Sequence, residues 1–297
     1  MMMMILFFDP IFKETMWGGN KLEKVFQYPT GDSTGECWGI SAHPNGVTPV
    51  KAGLYDGKNL VELWNNHREL FGNYPADEFP ILVKIIDAFD DLSIQVHPND
   101  QQAKMEGSLG KNECWYILDA DPLTEIIIGH HAKTKGQFMS YVEKGDYHHL
   151  IQTFPVHKGD FFYIEAGTLH AICKGTLLLE VQQSSDITYR FYDYDRIYHG
   201  KKRELHLRKA INTVKIPDEQ VKRTLEKTTF GLEIKKFNEI TKLENSIYGT
   251  FFVCLEGLGT IGNQNLKKGD FGFVSCEEPS FEVSGKTQIA LITLRTV

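Results

Sequence analysis

Four side chains able to donate nitrogen or oxygen to a metal ion, Gln95, His97, Glu113 and His170, fall in segments that each have the character of a β-strand. Leu92-Ser93-Ile94-Gln95-Val96-His97 alternates apolar and polar residues. In a strand, residues two apart leave the same face, so Gln95 and His97 project together. Two imidazoles, a carboxylate and an amide oxygen form a donor set suited to a divalent ion such as Zn2+. A lone strand histidine is more often a hydrogen-bonded core residue. The metal reading therefore depends on all four converging inside one β structure. Cations are also present for an anionic ligand: Lys84 lies in the apolar run 80–88, Lys111 just before Glu113, and Arg190 in 187–191.

Elements that could bring such residues together are mostly strands. Strand patterns cover 80–86, 92–97, 114–118, 124–128, 160–164, 176–182 and 187–191, with short turn-rich connections that predict a barrel or sandwich. Residues 60–70, 134–144 and 148–153 read as helices, and a further helix opens at 100–105 with Asn99 as its cap. Lys158-Gly159-Asp160-Phe161-Phe162-Tyr163-Ile164 recurs as Lys268-Gly269-Asp270-Phe271-Gly272-Phe273-Val274. The first copy leads to His170, whereas the second has no histidine after it. The repeat predicts a mainly β protein of two related barrels with a few peripheral helices. Residues 1–229 would form a catalytic metal-binding unit and 230–297 a degenerate unit without ligands, with a polar linker at 215–229.

Composition narrows the partners. With 32 basic and 39 acidic residues and a net charge of -7, the chain is a poor candidate for binding nucleic acid or an anionic membrane surface. No stretch of about 18 apolar residues predicts a membrane-spanning helix. Residues 1–8 are apolar but short, lack a basic start and run into Asp9-Pro10, so they read as a strand and not as a secretory signal. Five scattered cysteines with no C-x-x-C pair predict neither disulfides nor a thiolate metal site, and fit the cytoplasm. Nothing in the sequence calls for an obligate protein partner. His130-His131 and His148-His149 read as surface histidines, and Lys201-Lys202-Arg203 as a solvated basic patch.

Residues 159–170 have the form G-D-x-x-x-I-x-x-G-x-x-H, which resembles the second motif of the cupin superfamily. Pro80–Ala88 with Leu92–Asn99, then Gly110-Lys111-Asn112-Glu113-Cys114-Trp115-Tyr116, Gly167–Ala171 and Glu180–Arg190, are similar to the successive blocks of type I mannose-6-phosphate isomerases, in their short bacterial form. Trp17-Gly18-Gly19 and Ile40–Gly46 also resemble the family. The resemblance implies one Zn2+ per chain on Gln95, His97, Glu113 and His170, with Gln95 the weakest ligand. It implies catalytic roles for Arg190, Lys111 and Glu180, and substrate contacts from Lys84 and Trp17. The implied reaction interconverts mannose 6-phosphate and fructose 6-phosphate through a cis-enediol. A non-catalytic, metal-containing cupin that binds or senses sugar phosphates is the alternative.

Overall fold

The computed structural model describes residues 3–218, 221–226 and 228–296. In chain order its strands are β1 (Ile5–Phe8), β2 (Ile11–Gly19), β3 (Thr34–Ser41), β4 (Ile81–Ala88), β5 (Ile94–Val96), β6 (Glu113–Ala120), β7 (Glu125–His130), β8 (Ile151–Pro155), β9 (Phe161–Ile164), β10 (His170–Ala171), β11 (Thr176–Gln183), β12 (Tyr189–Tyr192), the small hairpin β13 (Ile197–Tyr198) and β14 (Lys201–Lys202), then β15 (Phe230–Phe237), β16 (Thr241–Glu244), β17 (Thr250–Ile261), β18 (Gln264–Lys267), β19 (Phe271–Val274) and β20 (Ser280–Leu294). Six short helices decorate them: α1 (Lys21–Phe26), α2 (Leu60–Asn66), α3 (Asp100–Ala103), α4 (Lys135–Lys144), α5 (Tyr147–Leu150) and α6 (Leu207–Thr213). The protein is mainly β, as its sequence predicts.

Two sheets, ordered β2-β3-β4-β11-β6-β9 and β12-β5-β10-β7-β8, face one another. Ile86, Trp115, Ile117 and Leu178 of the first pack on Ile126 and Ile128 of the second. The first sheet turns its other face to a third, ordered β1-β19-β17-β20-β15. There Val83, Ile85, Leu179 and Val181 meet Phe251, Phe271, Phe273 and Ile292, with Leu63 and Trp64 of α2 closing the cluster. Strands β4 and β11 are therefore buried along their whole length, which accounts for their high content of Ile, Leu and Val around the charged Lys84, Asp87 and Glu180. The stacking is close: a Cβ on Gly39 would lie 2.1 Å from the Phe271 ring.

The sequence repeat is a structural repeat. Gly159 N–H donates to Ile117 O and Ile117 N–H to Asp160 O, at 2.8 and 2.9 Å; Gly269, Cys254 and Asp270 make the same two bonds at the same distances. Both turns place glycine at positive φ, 94° and 89°, and both aspartates accept the backbone N–H three residues back. The register carries outward from there. Glu113 pairs with Gln182 and Trp115 with Glu180, while Thr250 pairs with Thr293 and Phe252 with Leu291. Thus Thr250 stands where Glu113 stands, and Leu291 where Glu180 stands. The second unit keeps the ladder and lacks the polar groups.

Some expectations shift. Residues 148–153 are helical only through Leu150; Ile151 onward is strand β8, where β-branched residues alternate against β7. The N-terminal strand joins the third sheet, with Ile5 opposite Val274, so residues 5–8 pair with the C-terminal unit. The described parts of 215–229 lie along the first unit, where Asp218 bridges His130 and Lys222 bridges Tyr163. His130 is buried, its Nε2 donating to Lys215 O at 2.8 Å, contrary to the surface position expected of it. Arg203 is no solvated residue either: it binds Asp193 through Nε and Nη2 at 2.8 and 2.5 Å.

Candidate metal centre and active site

Strand pairing places the donors before any side-chain contact is considered. Gln95 on β5 lies opposite His170 on β10 and opposite Arg190 on β12. Directly opposed residues share a face, so Arg190, Gln95 and His170 form one row across the second sheet. On the first sheet, Glu113 and Gln182 are one opposed pair and Lys84, Glu180 and Trp115 a second row. The two rows meet across the interior.

His97, Glu113 and His170 each retain 1 % exposure. His97 Nε2 is 3.5 Å from Glu113 Oε2, and His170 Nε2 is 3.3 Å from Glu113 Oε1. Donors bound about 2.0–2.2 Å from one ion at tetrahedral angles stand roughly 3.3–3.5 Å apart. Both imidazoles are oriented from behind: His97 Nδ1 donates to Ile187 O and His170 Nδ1 to Thr168 O, each at 2.8 Å. That fixes the tautomer and turns each Nε2 lone pair inward, the arrangement typical of histidines that bind metals. His97 Nε2 and both Glu113 oxygens are buried without a hydrogen-bond partner. Buried polar atoms are rarely left so, and a shared cation is the partner that suits all of them. Among the described residues this is the one group of three such side chains able to share an ion.

Electrostatics agree. Burial, then the nearby Lys111 ammonium, hold His97 well below the usual imidazole range. Burial brings His170 down to about 4, against the opposing bond to Thr168 O. Both rings are therefore neutral near pH 7, as ligands must be. Lys111, 5 % exposed, sets its Nζ 3.3 Å from Glu113 Oε2. Gln95 is the weaker contact, its Nε2 3.5 Å from His170 Nε2.

Beside the metal group lies a second buried network. Lys84 Nζ sits 3.4 Å from Glu180 Oε2 and 3.7 Å from Glu36 Oε2. Trp115 Nε1 donates to Glu180 Oε1 at 3.0 Å, and its ring meets His170 edge-on at 5.6 Å. Burial works against the Lys84 charge, but Glu36 and Glu180 outweigh it and its pKa is raised. Arg190 differs: among the described residues no carboxylate comes within ion-pair distance, its Nε is buried and unpartnered, and burial, then Arg203, lower its pKa. Asp193, a conceivable partner, is taken by Arg196 and Arg203.

Comparison with known proteins places this geometry in a lineage. The family model for the catalytic domain of type I phosphomannose isomerase matches residues 5–122. Mannose-6-phosphate isomerase ManA of Bacillus subtilis is 51 % identical over 71 % of this chain and 68 % of its own length. The crystal structure of the mannose 6-phosphate isomerase from B. subtilis superposes with a TM-score of 0.92 at 39 % identity, covering 98 % of this chain and 99 % of that one. The structure of a putative mannosephosphate isomerase from Archaeoglobus fulgidus, 24 % identical, shares the fold at a TM-score of 0.83 over the full length of both chains.

The chain belongs to the type I mannose-6-phosphate isomerase family.

It is an isomerase by that membership, and the fold places the expected site residues as follows. Gln95, His97, Glu113, His170, Lys111 and Arg190 gather on facing strands and their adjoining loop, and Lys84 and Glu180 share the adjoining row. Trp17 is not brought to the ligands. It is buried in the apolar cluster with Ile86 and Leu92, its ring against Gly35. The sequence reading missed Glu36 and Trp38. Trp38 Nε1 donates to Glu36, and Lys84 lies 5.0 Å over the Trp38 ring. A carboxylate two residues from a tryptophan in a strand, hence on the same face, was the available signal.

Proposed function

We propose that this protein interconverts mannose 6-phosphate and fructose 6-phosphate through a cis-enediol, with Zn2+ held by His97, Glu113 and His170 and completed by Gln95. The convergence of three buried donor atoms that lack hydrogen-bond partners, beside an arginine with no ion pair among the described residues, supports the reading. A bound Zn2+ would supply Lewis-acid stabilisation to the sugar oxygens at C1 and C2. The chain's own residues do the rest. Arg190 presents fixed positive charge toward the oxyanion that forms as the C2 or C1 proton leaves. Lys111 offsets the charge of Glu113 and offers an ammonium to the substrate. Glu180, oriented by Trp115 and Lys84, is placed to move the proton between the carbons. Lys84 serves the substrate end of the same row, held charged by Glu36 and Glu180.

The family supports the sugar-phosphate substrate, and five scattered cysteines with no C-x-x-C pair favour work in the cytoplasm. A coupled assay with mannose 6-phosphate in D2O tests the scheme. We expect turnover and at least partial deuterium incorporation into the fructose 6-phosphate formed. Binding of the sugar phosphate without turnover would favour the sensing alternative, and turnover by intramolecular hydride shift would overturn the enediol.

A further inference from the structure

The second unit has lost the polar residues of the first, yet its equivalent side is not solidly filled. A trough of 980 Å3 opens there, lined by Ile5 and Phe7 of β1, Leu258 of β17 and Leu266 of β18. Ile5 and Leu266 belong to the same buried cluster as Phe252 and Leu291, the counterparts of Trp115 and Glu180. The trough is therefore on the side of the third sheet that corresponds to the metal-bearing side of the first. A second cavity of 350 Å3, flanked by Phe12, Tyr28 and Lys268, shares Lys51, Lys267 and Asp270 with the trough, so the two adjoin at these charges.

The charge there is unusual for this chain. Lys51 stands 3.8 Å from Asp270, whose other oxygen accepts the Lys267 backbone N–H at 2.8 Å. Asp270 is thus occupied. Among the described residues Lys267 and Lys268 have no ion-pair partner, and Lys268 lies 5.2 Å over the Phe26 ring. Exposed Asp9 is the remaining carboxylate on these cavities. Lys51 and Lys267 at the apolar trough, with Lys268 on the adjoining cavity, on a molecule of net charge -7, complement a ligand that is apolar along its length and anionic at one end. The trough's volume is within the range of small-molecule sites.

We propose that the second unit binds a small anionic amphiphile, specifically a free medium-chain carboxylate, with its chain in the trough and its head group among Lys51, Lys267 and Lys268. Titration calorimetry of the full chain with decanoate tests this, with decanol and decyltrimethylammonium as probes of equal chain length. We expect saturable one-to-one binding of decanoate, weaker binding of decanol and none of the cation. The double variant Lys51→Glu/Lys267→Glu should weaken decanoate about tenfold or more. Leu258→Asp, at a position 72 % exposed and so safe for folding, should weaken it independently. Isomerase turnover should survive in both. No saturable binding, equal binding of all three probes, or binding indifferent to both variants would overturn the proposal. So would a concentration-dependent dimer abolished by Leu258→Asp, which would assign the trough to a second copy of the chain.

Discussion

At the scale of single residues, chemistry resides in groups that the fold buries without satisfying. Arg190 is the clearest cation of this kind, because its neighbours Asp193 and Arg203 satisfy each other and leave it without an ion-pair partner among the described residues. Replacing it by alanine should lower kcat on the order of 10²–10³-fold while zinc content measured by atomic emission stays unchanged; loss of zinc alongside activity would make Arg190 a structural residue. Asp218 tests burial by itself. Its carboxyl is pushed up to about 6 by burial, against the pull of Lys215, and its Oδ2 is unpartnered. Since the folded state holds this proton more tightly than the unfolded chain does, the stabilising contribution is complete below about pH 4 and is lost as pH rises toward 6. Asp218→Asn should therefore gain melting temperature relative to the parent across that window, and a difference that is flat with pH would contradict the assignment. The convergence of His97, Glu113 and His170 was expected from residue type and strand character. Glu36 was signalled only by its spacing from Trp38; its contact with Lys84, which lies on another strand, had no local mark.

At the scale of elements, β4 and β11 carry charges into a fully buried layer, and the arrangement holds only as a set. Lys84→Met removes the cation between Glu36 and Glu180. Breaking one side of a buried ion pair costs about 3–5 kcal/mol, so chemical denaturation should show a loss of that order; a change under about 1 kcal/mol would mean that water reaches the network. Strand β3 and strand β19 touch where Gly39 meets Phe271. Gly39→Ala overpacks that contact and should destabilise by about 1–3 kcal/mol, read as a lowered midpoint in urea; an unaffected midpoint would show that the sheets are free to part. Most strands were legible because apolar residues and turn residues mark them locally. The end of α5 was not, since 148–153 is short and β8 is fixed by its pairing with β7, a contact remote in sequence. The doubly buried β4 likewise hides its two faces, so the sequence alone does not show that Lys84 lies between Glu36 and Glu180.

At the scale of the whole molecule, one ladder is used twice, with Glu113 and Glu180 in one copy and Thr250 and Leu291 in the other. The repeated Lys-Gly-Asp turn made that duplication visible in the sequence. The pairing of β1 with β19, which ties the two ends of the chain into one sheet, was invisible because nothing local specifies Val274 as the partner of Ile5. The division of labour follows: the first unit holds the donors, the third sheet buries the back of the sheet that aims them. The central claim is that His97, Glu113 and His170 together hold one ion on which isomerisation depends. Titrating Zn2+ into chelator-stripped protein while following mannose 6-phosphate turnover tests it most directly. The account predicts negligible activity without metal, recovery that saturates at one equivalent, and no recovery at stoichiometric Zn2+ in a folded His170→Ala variant. Full turnover by metal-free protein would contradict it.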